Sequence, residues 1–366
     1  MPLSVGIVGL PNVGKSTLFN ALSDAGAEAA NYPFCTIEPN VGVAFVPDPR
    51  QDALVRVVGP DRVVPATVEF VDIAGLVKGA SQGEGLGNQF LSHIRNVDAI
   101  VHVVRCFVDD NVVHVSGLVD PLADVQTIDT ELLLRDIQSV EQRLERARKH
   151  SKGGDAEEKR MLAVCERVIA PMNRGEPVRR LALSDEEREL LGQLTLLTAK
   201  PVLYAANVSE AQLAAGERDN DVHKLVVHAH EQRAQVVVIS GAIEAEIARL
   251  SVEDQREFLA SLGLEEPGLH RLIRSAYALL DLVTFFTAGK QEVRAWPIPR
   301  ETTAPAAAGK IHSDFERGFI RAEVMRWTDL VELGSESAVK AKGLLRLEGK
   351  DYVVQDGDVV HFRFAV

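Results

Sequence analysis

Gly9-Leu10-Pro11-Asn12-Val13-Gly14-Lys15-Ser16 decides how this 366-residue chain is read. It spells G-x-x-x-x-G-K-S, the loop that cradles phosphate in nucleotide hydrolases and kinases. The flanks agree with the spelling. Residues 4–8 form a short apolar run suited to a buried strand, and residues 17–22 carry a helical pattern. Strand, glycine-rich loop and helix together aim backbone N–H groups at an anion held against the positive end of the helix. Gly9 and Gly14 allow a backbone approach that a Cβ would obstruct. In this frame Lys15 reaches the β- and γ-phosphates and the Ser16 hydroxyl ligates Mg2+. Asn12, Val13, Gly14 and Thr17 complete the nucleotide cradle.

The stretches downstream extend the same chemistry. Asp72-Ile73-Ala74-Gly75 follows the apolar strand 67–72. The Asp72 carboxylate is expected to hold the magnesium shell, and the Gly75 N–H to meet the γ-phosphate. Thr36, in the proline-containing connector 31–40, is the candidate for a second magnesium hydroxyl, ordered by γ-phosphate and released on hydrolysis. Its alternative is a solvent-facing turn threonine. The glycine-rich run 78–87 reads as a second switch. After the strand 201–206 comes Asn207-Val208-Ser209-Glu210, where guanine-reading proteins place N-K-x-D. Adenine offers no N1–H donor, so a carboxylate there would be desolvated without return. Val208 and Glu210 therefore point to ATP, with Asn207, backbone groups and Ser240 at the end of the strand 236–240 facing the base.

Bulk properties narrow the setting. The composition, 46% hydrophobic and 25% charged, suits a soluble protein with a sizeable core. No apolar stretch reaches membrane-spanning length and no signal pattern opens the chain, so a cytoplasmic protein without membrane contact is expected. Cys35, Cys106 and Cys165 are scattered, as buried thiols in a reducing compartment would be. The net charge of −13 argues against broad attraction to polyanions. From Val283 onward acids and bases balance, so contact with a nucleic acid is expected through that end. Between the strands, Leu133, Ile137, Val140, Leu144 and Ala147 recur at spacings of three and four, and Met161, Cys165, Val168 and Met172 repeat them after Gly153-Gly154. That is the seam of an antiparallel helical hairpin. Ser184-Asp185-Glu186-Glu187 opens a further helix as a capping box. His223, His228 and His230 read as helix histidines rather than a metal site. The stretch 310–321 interleaves basic and aromatic residues, which fits either an RNA surface or a small β-rich domain with phenylalanines in its core.

Taken in order, the residues 9–16, 31–36, 72–80, 83–90, 207–210, 285–296 and 309–324 resemble the Obg-like ATPase family (YchF), within the Obg-related P-loop NTPases. The resemblance covers nearly the whole chain. It implies an α/β P-loop NTPase domain of Ras-like G-domain fold with a mostly parallel sheet, residues 1–125 and 199–280. It further implies an inserted α-helical coiled-coil domain, residues 126–198, and a C-terminal TGS domain of β-grasp type, residues 281–366. Association with the ribosome and its RNA, and ATP in preference to GTP, are implied with them. Pro297 and Glu301 are minor departures within the TGS stretch.

Hydrolysis needs a water held in line with the γ-phosphate, and Ras-like enzymes use a Gln directly after D-x-x-G. Here that position is Leu76, which has no hydrogen-bonding group. His114, in the connection after the strand 99–104, is the candidate to orient the water, with a purely structural histidine as the alternative. Asn12 is a candidate to hold K+ against the phosphates. With Leu76 in place basal turnover is expected to be slow. The reading is a Mg2+-dependent, ribosome-associated ATPase switch, monomeric. Its rivals are an ordinary guanine-specific GTPase and a nucleotide-gated scaffold with incidental hydrolysis. A small-molecule kinase is disfavoured by the D-x-x-G and by the absence of an evident arginine-bearing lid.

Overall fold

Twelve strands are present among the described residues: β1 Ser4–Val8, β2 Val41–Phe45, β3 Arg62–Val64, β4 Thr67–Asp72, β5 Ala99–Arg105, β6 Val202–Asn207, β7 Gln235–Ile239, β8 Leu282–Ala288, β9 Glu292–Pro299, β10 Phe319–Arg326, β11 Arg346–Glu348 and β12 Asp358–Phe364. The structure, a computed structural model, describes residues 3–25, 40–73, 86–115, 117–150 and 155–365. They fall into two compact units, one of residues 1–43 and 69–276, the other of residues 44–68 and 277–366.

The first unit is built on a sheet of order β2-β4-β1-β5-β6-β7. The pairs β1–β4, β1–β5, β5–β6 and β6–β7 are all parallel. Every residue of β5 and β6 is buried, as expected of strands covered on both faces. The register sets Ile7 beside Asp72 and Val8 beside His102, so the C-terminal ends of β4, β1 and β5 lie side by side. Ligands of open α/β sheets bind at that edge.

The hairpin expected from the heptad spacing is present. Helix α4 (Pro121–His150) packs along α5 (Ala156–Asn173), with Leu133, Val140, Leu144, Ala147, Met161, Cys165, Val168 and Met172 buried in one cluster. (Numbering of the helices before them: α1 is Lys15–Ala25, α2 Pro49–Val58 and α3 Leu86–Asn96.) Helix α4 starts twelve residues before Leu133, the first residue of the seam. Asp120 caps it, accepting from the Leu122 and Ala123 N–H groups at 3.1 Å, with Pro121 at the first position. Ser184 and Glu187 form the expected capping box at the head of α6 (Asp185–Gly192). The return to β6 is pinned by the buried Asp136 carboxylate, which accepts from Leu197 N–H at 2.8 Å, Thr198 N–H at 2.7 Å and the Thr198 hydroxyl at 2.6 Å. The helical segment starts at 121 rather than 126, and it clusters with the nucleotide unit instead of separating from it.

The second unit departs from the expected boundary. It begins at Tyr277 rather than 281, and it takes in residues 44–68, which the sequence reading assigned to the nucleotide domain. Its sheet runs β11-β10-β12-β8-β9-β3, with β8 and β12 as a parallel pair between antiparallel neighbours. The helix Ala304–Ile311 lies on it through Ala304, Ala307 and Ala308, all fully buried. The captured segment adds β3 beside β9 and the helix α2, capped by Asp48 and closed by Gly59 at φ 57°. Gln51 ties that helix to the sheet through the Val64 carbonyl at 2.9 Å. In the basic–aromatic stretch, Phe319 is buried and Phe315 stacks on Phe364 at 3.8 Å. Of the two readings of this stretch, these two phenylalanines follow the one that puts them in the core of a β-rich domain. Lys310 and Arg317 remain exposed.

Candidate functional site

The phosphate loop leaves β1 at Val8 and enters α1 at Lys15. Its shape is dictated by close approach. A Cβ on Gly9 would lie 2.8 Å from the Val103 carbonyl oxygen, and one on Gly14, at φ 89°, would lie 2.2 Å from the Asn207 amide nitrogen. Asn12 sits in the left-handed region at φ 63°. Val13 is buried, while Ser16 and Thr17 are exposed at the helix start, facing the solvent from which a nucleotide would come.

Asp72 closes the opposite side. Its N–H donates to the Asn40 carbonyl at 2.8 Å, and Ile73 N–H to the Ile7 carbonyl at 3.1 Å, so the end of β4 is locked beside the phosphate loop. Its carboxylate forms an ion pair with Lys15 Nζ. Ser16 and Asp72 present hydroxyl and carboxylate oxygens, the hard donors that magnesium takes. Thr36, Gly75, Leu76 and the run 78–85 lie outside the described residues.

On the base side Asn207, at the end of β6, is buried and spans two loops. Its Nδ2 donates to the Val13 carbonyl at 2.9 Å, and its Oδ1 accepts from Gly241 N–H at 2.9 Å. Ser240 is buried just before that N–H, at the start of the helix 241–247. Val208 is buried, with its N–H on the Ile239 carbonyl at 2.9 Å. Ser209 caps the helix 210–215 through a capping box with Gln212, placing Glu210 exposed in the first turn. Asn207 is thus foremost a strut between the phosphate loop and the base loop.

His114 is not open to solvent. Its Nε2 lies 2.9 Å from Asp124 Oδ2, with the two side chains 3% and 5% exposed. Burial pushes the Asp124 carboxyl up, and the His114 hydrogen bond and the Arg105 charge pull it back. One residue earlier, the Val113 carbonyl accepts from Asn12 Nδ2 at 3.1 Å. The histidine loop therefore touches the phosphate loop directly. Sequence reasoning named Asn12 and His114 but missed Asp124, and missed Arg105, the charged last residue of an otherwise buried strand. That charge at a strand end was the available signal.

Strand order, phosphate loop, Lys15–Asp72 pair and base loop define a P-loop NTPase. Residues 4–152 match the family model described as 50S ribosome-binding GTPase, and residues 282–365 match the model of the YchF-GTPase C-terminal region. The chain is 55% identical to the ribosome-binding ATPase YchF of Haemophilus influenzae and 53% identical to that of Bacillus subtilis, each over the full length of both chains. It belongs to the YchF family. Among solved structures, the YchF GTPase of Schizosaccharomyces pombe superposes with a TM-score of 0.90 at 40% identity, covering 99% of this chain and 97% of that one. A GTP-binding protein from Pyrococcus horikoshii, at 20% identity and TM-score 0.60, shares the fold.

Proposed function

We propose that the protein is a Mg2+-dependent ATPase that binds ATP in preference to GTP, hydrolyses it slowly, and works as a cytoplasmic switch on the ribosome. The observation that carries the base preference is the pair Val208 and Glu210. Val208 is buried where a guanine-reading loop needs a lysine, and Glu210 is spent in the exposed first turn of a capped helix. The family relatives named as ribosome-binding ATPases support the same reading, while the yeast relative titled a GTPase makes the base preference the point to test.

Lys15 would leave Asp72 for the phosphates when ATP binds, which releases the Asp72 carboxylate to join Ser16 and Thr36 around magnesium. When bound there, magnesium would supply positive charge to the phosphates. The Gly75 N–H would meet the γ-phosphate. His114, buried on Asp124 in this state, would have to turn out of that pair to orient the water in place of Leu76, the Asn12–Val113 contact carrying the arrival of nucleotide to its loop. A potassium ion would be held by the Asn12 amide oxygen. The second unit would serve as the TGS domain, and α4 and α5 as the inserted coiled coil, in ribosome contact.

The test is titration calorimetry with non-hydrolysable ATP and GTP analogues and magnesium, on the native protein and on Glu210→Asp. ATP should bind more tightly to the native chain, and the variant should gain affinity for GTP. Equal or tighter native binding of GTP overturns the proposal. The ribosome should then raise the ATP turnover; an unchanged rate would favour a scaffold with incidental hydrolysis.

A further inference from the structure

Arg105 is the largest of the fully buried side chains, at 1% exposure, and the mechanism above makes no use of it. Its guanidinium is spent on main-chain carbonyls of one loop. Nε donates to Phe107 O at 3.0 Å, Nη1 to Val112 O at 3.0 Å and Nη2 to Asp109 O at 3.3 Å. The same group lies over the Phe107 ring, 4.6 Å from its centroid. Only a planar fork can hold three acceptors spread around it in this way; an ammonium cannot.

What this fork holds is the strap that ends at Val113 and His114. The strap has little apolar anchorage of its own. Val108 is 80% exposed and Val113 76%, and Phe107 and Val112 are only half-buried, so apolar burial alone seats it weakly. Polar contacts fix its place: Arg105 from below, Asn12 Nδ2 on Val113 O, and Asp124 on His114. The Arg105 charge also acts on Asp124, holding that carboxyl toward its ionised form against the push of burial. One buried cation thus holds the path of the strap and adds to the charges that favour the ionised form of the histidine's partner.

We propose that Arg105 is the positioning residue for hydrolysis: it holds the 107–113 strap against the phosphate loop, so that His114 turns toward the γ-phosphate from one fixed place. The inference rests on the reading of His114 as the residue that orients the water. Arg105 is buried with its donors on main-chain carbonyls of the strap, so its effect passes through His114. Chemistry that depends on sub-ångström placement is sensitive to such loosening even where binding is not.

The experiment is a double-mutant cycle on the full-length protein with Arg105→Met, Arg105→Lys, His114→Ala and Arg105→Met/His114→Ala. ATP affinity, kcat, melting temperature and the ring-nitrogen NMR signals of His114 at one fixed pH are measured. Arg105→Met is expected to lower kcat by about tenfold or more with ATP affinity held within about threefold, and the double variant to be no slower than His114→Ala alone. Arg105→Lys should restore the charge but not the fork, and so recover little of the rate. The His114 ring signals should shift in Arg105→Met whatever the rates do.

If the losses multiply in the double variant, or ATP affinity falls in step with kcat, the proposal is overturned while His114 keeps its role. If His114→Ala turns over at the native rate, the hydrolytic reading falls. In that case shifted His114 signals in Arg105→Met still uphold the positioning of the strap, and unshifted signals overturn it. Should Arg105→Met fail to fold, Arg105→Lys decides by the same criteria.

Discussion

Replacing Asn207 by Ala should weaken both the fold and the grip on ATP, in a proportion the structure fixes. The side chain is 5% exposed and makes two hydrogen bonds, to Val13 O and from Gly241 N–H, both 2.9 Å. Truncation leaves a buried carbonyl and a buried N–H unpaired, each worth ~1–3 kcal/mol, and water entering the space left by the amide returns part of this. A total of about 2–4 kcal/mol follows, which for a unit of this size lowers the melting temperature by roughly 5–15 °C. The bond to Val13 is the share that concerns ATP. With ~1–2 kcal/mol gone, the phosphate loop spends only a fraction of its time in the binding shape, and apparent affinity falls by ~5–30-fold. Asn207→Asp sharpens the case, because it keeps the acceptor for Gly241 N–H while setting a carboxylate oxygen against the Val13 carbonyl. Calorimetry with an ATP analogue and thermal melts of the three proteins measure both effects. A variant that melts early yet binds ATP within about twofold of native refutes the coupling of the two loops through Asn207. An unshifted melt refutes the hydrogen bonds themselves.

Two further outcomes follow from buried groups. His102 is held neutral, its pKa pushed down to about 4 by burial. Between pH 6.5 and 4 the unfolded chain binds a proton there that the folded chain refuses, so this histidine removes stability as the pH falls, by about 1.6 kcal/mol between pH 6.5 and 5. His102→Phe should flatten the pH dependence of denaturant midpoints by that amount, and parallel curves for variant and native protein would sink the assignment. Asp136→Ala strips three donors near the return to β6 and should destabilise by ~3–5 kcal/mol. The molecules still folded should keep their ATP turnover; a melting temperature within about 2 °C of native would show that water replaces the carboxylate without loss.

Much of the fold was legible because its signals are local. The phosphate loop, the strands around it and the heptad seam depend on residues within a dozen positions of one another. Two helix starts were legible and went unread for one shared reason. Asp48-Pro49 and Asp120-Pro121 both place a capping carboxylate before a proline whose lost N–H is no loss at a first helical position. Gly59 then marks the end of α2, at φ 57°. Capture of residues 44–68 by the second unit lay beyond the sequence. Arg62, Val63 and Val64 pair with Glu292, Val293 and Arg294, about 230 positions away, and nothing in a three-residue strand names its partner.

The site divides along the same line. Lys15, Ser16, Asp72 and Asn207 were recoverable because phosphate and base chemistry demand those residue types at those places. Their mutual contacts were not, because each joins loops that follow different strands. Those contacts become predictable once the strand order is known. With β1, β5 and β6 adjacent and parallel, the loops after them emerge at one edge within reach of one another. The loop after β1 must then find polar partners in its neighbours, and it does so through Asn12 to Val113 and through Val13 to Asn207. From the last residue of β5 the Arg105 side chain reaches back into the loop that follows its own strand. A buried arginine there is costly unless its donors are satisfied, so their satisfaction by three carbonyls of that single loop ties the folding of the strap to the assembly of the nucleotide site.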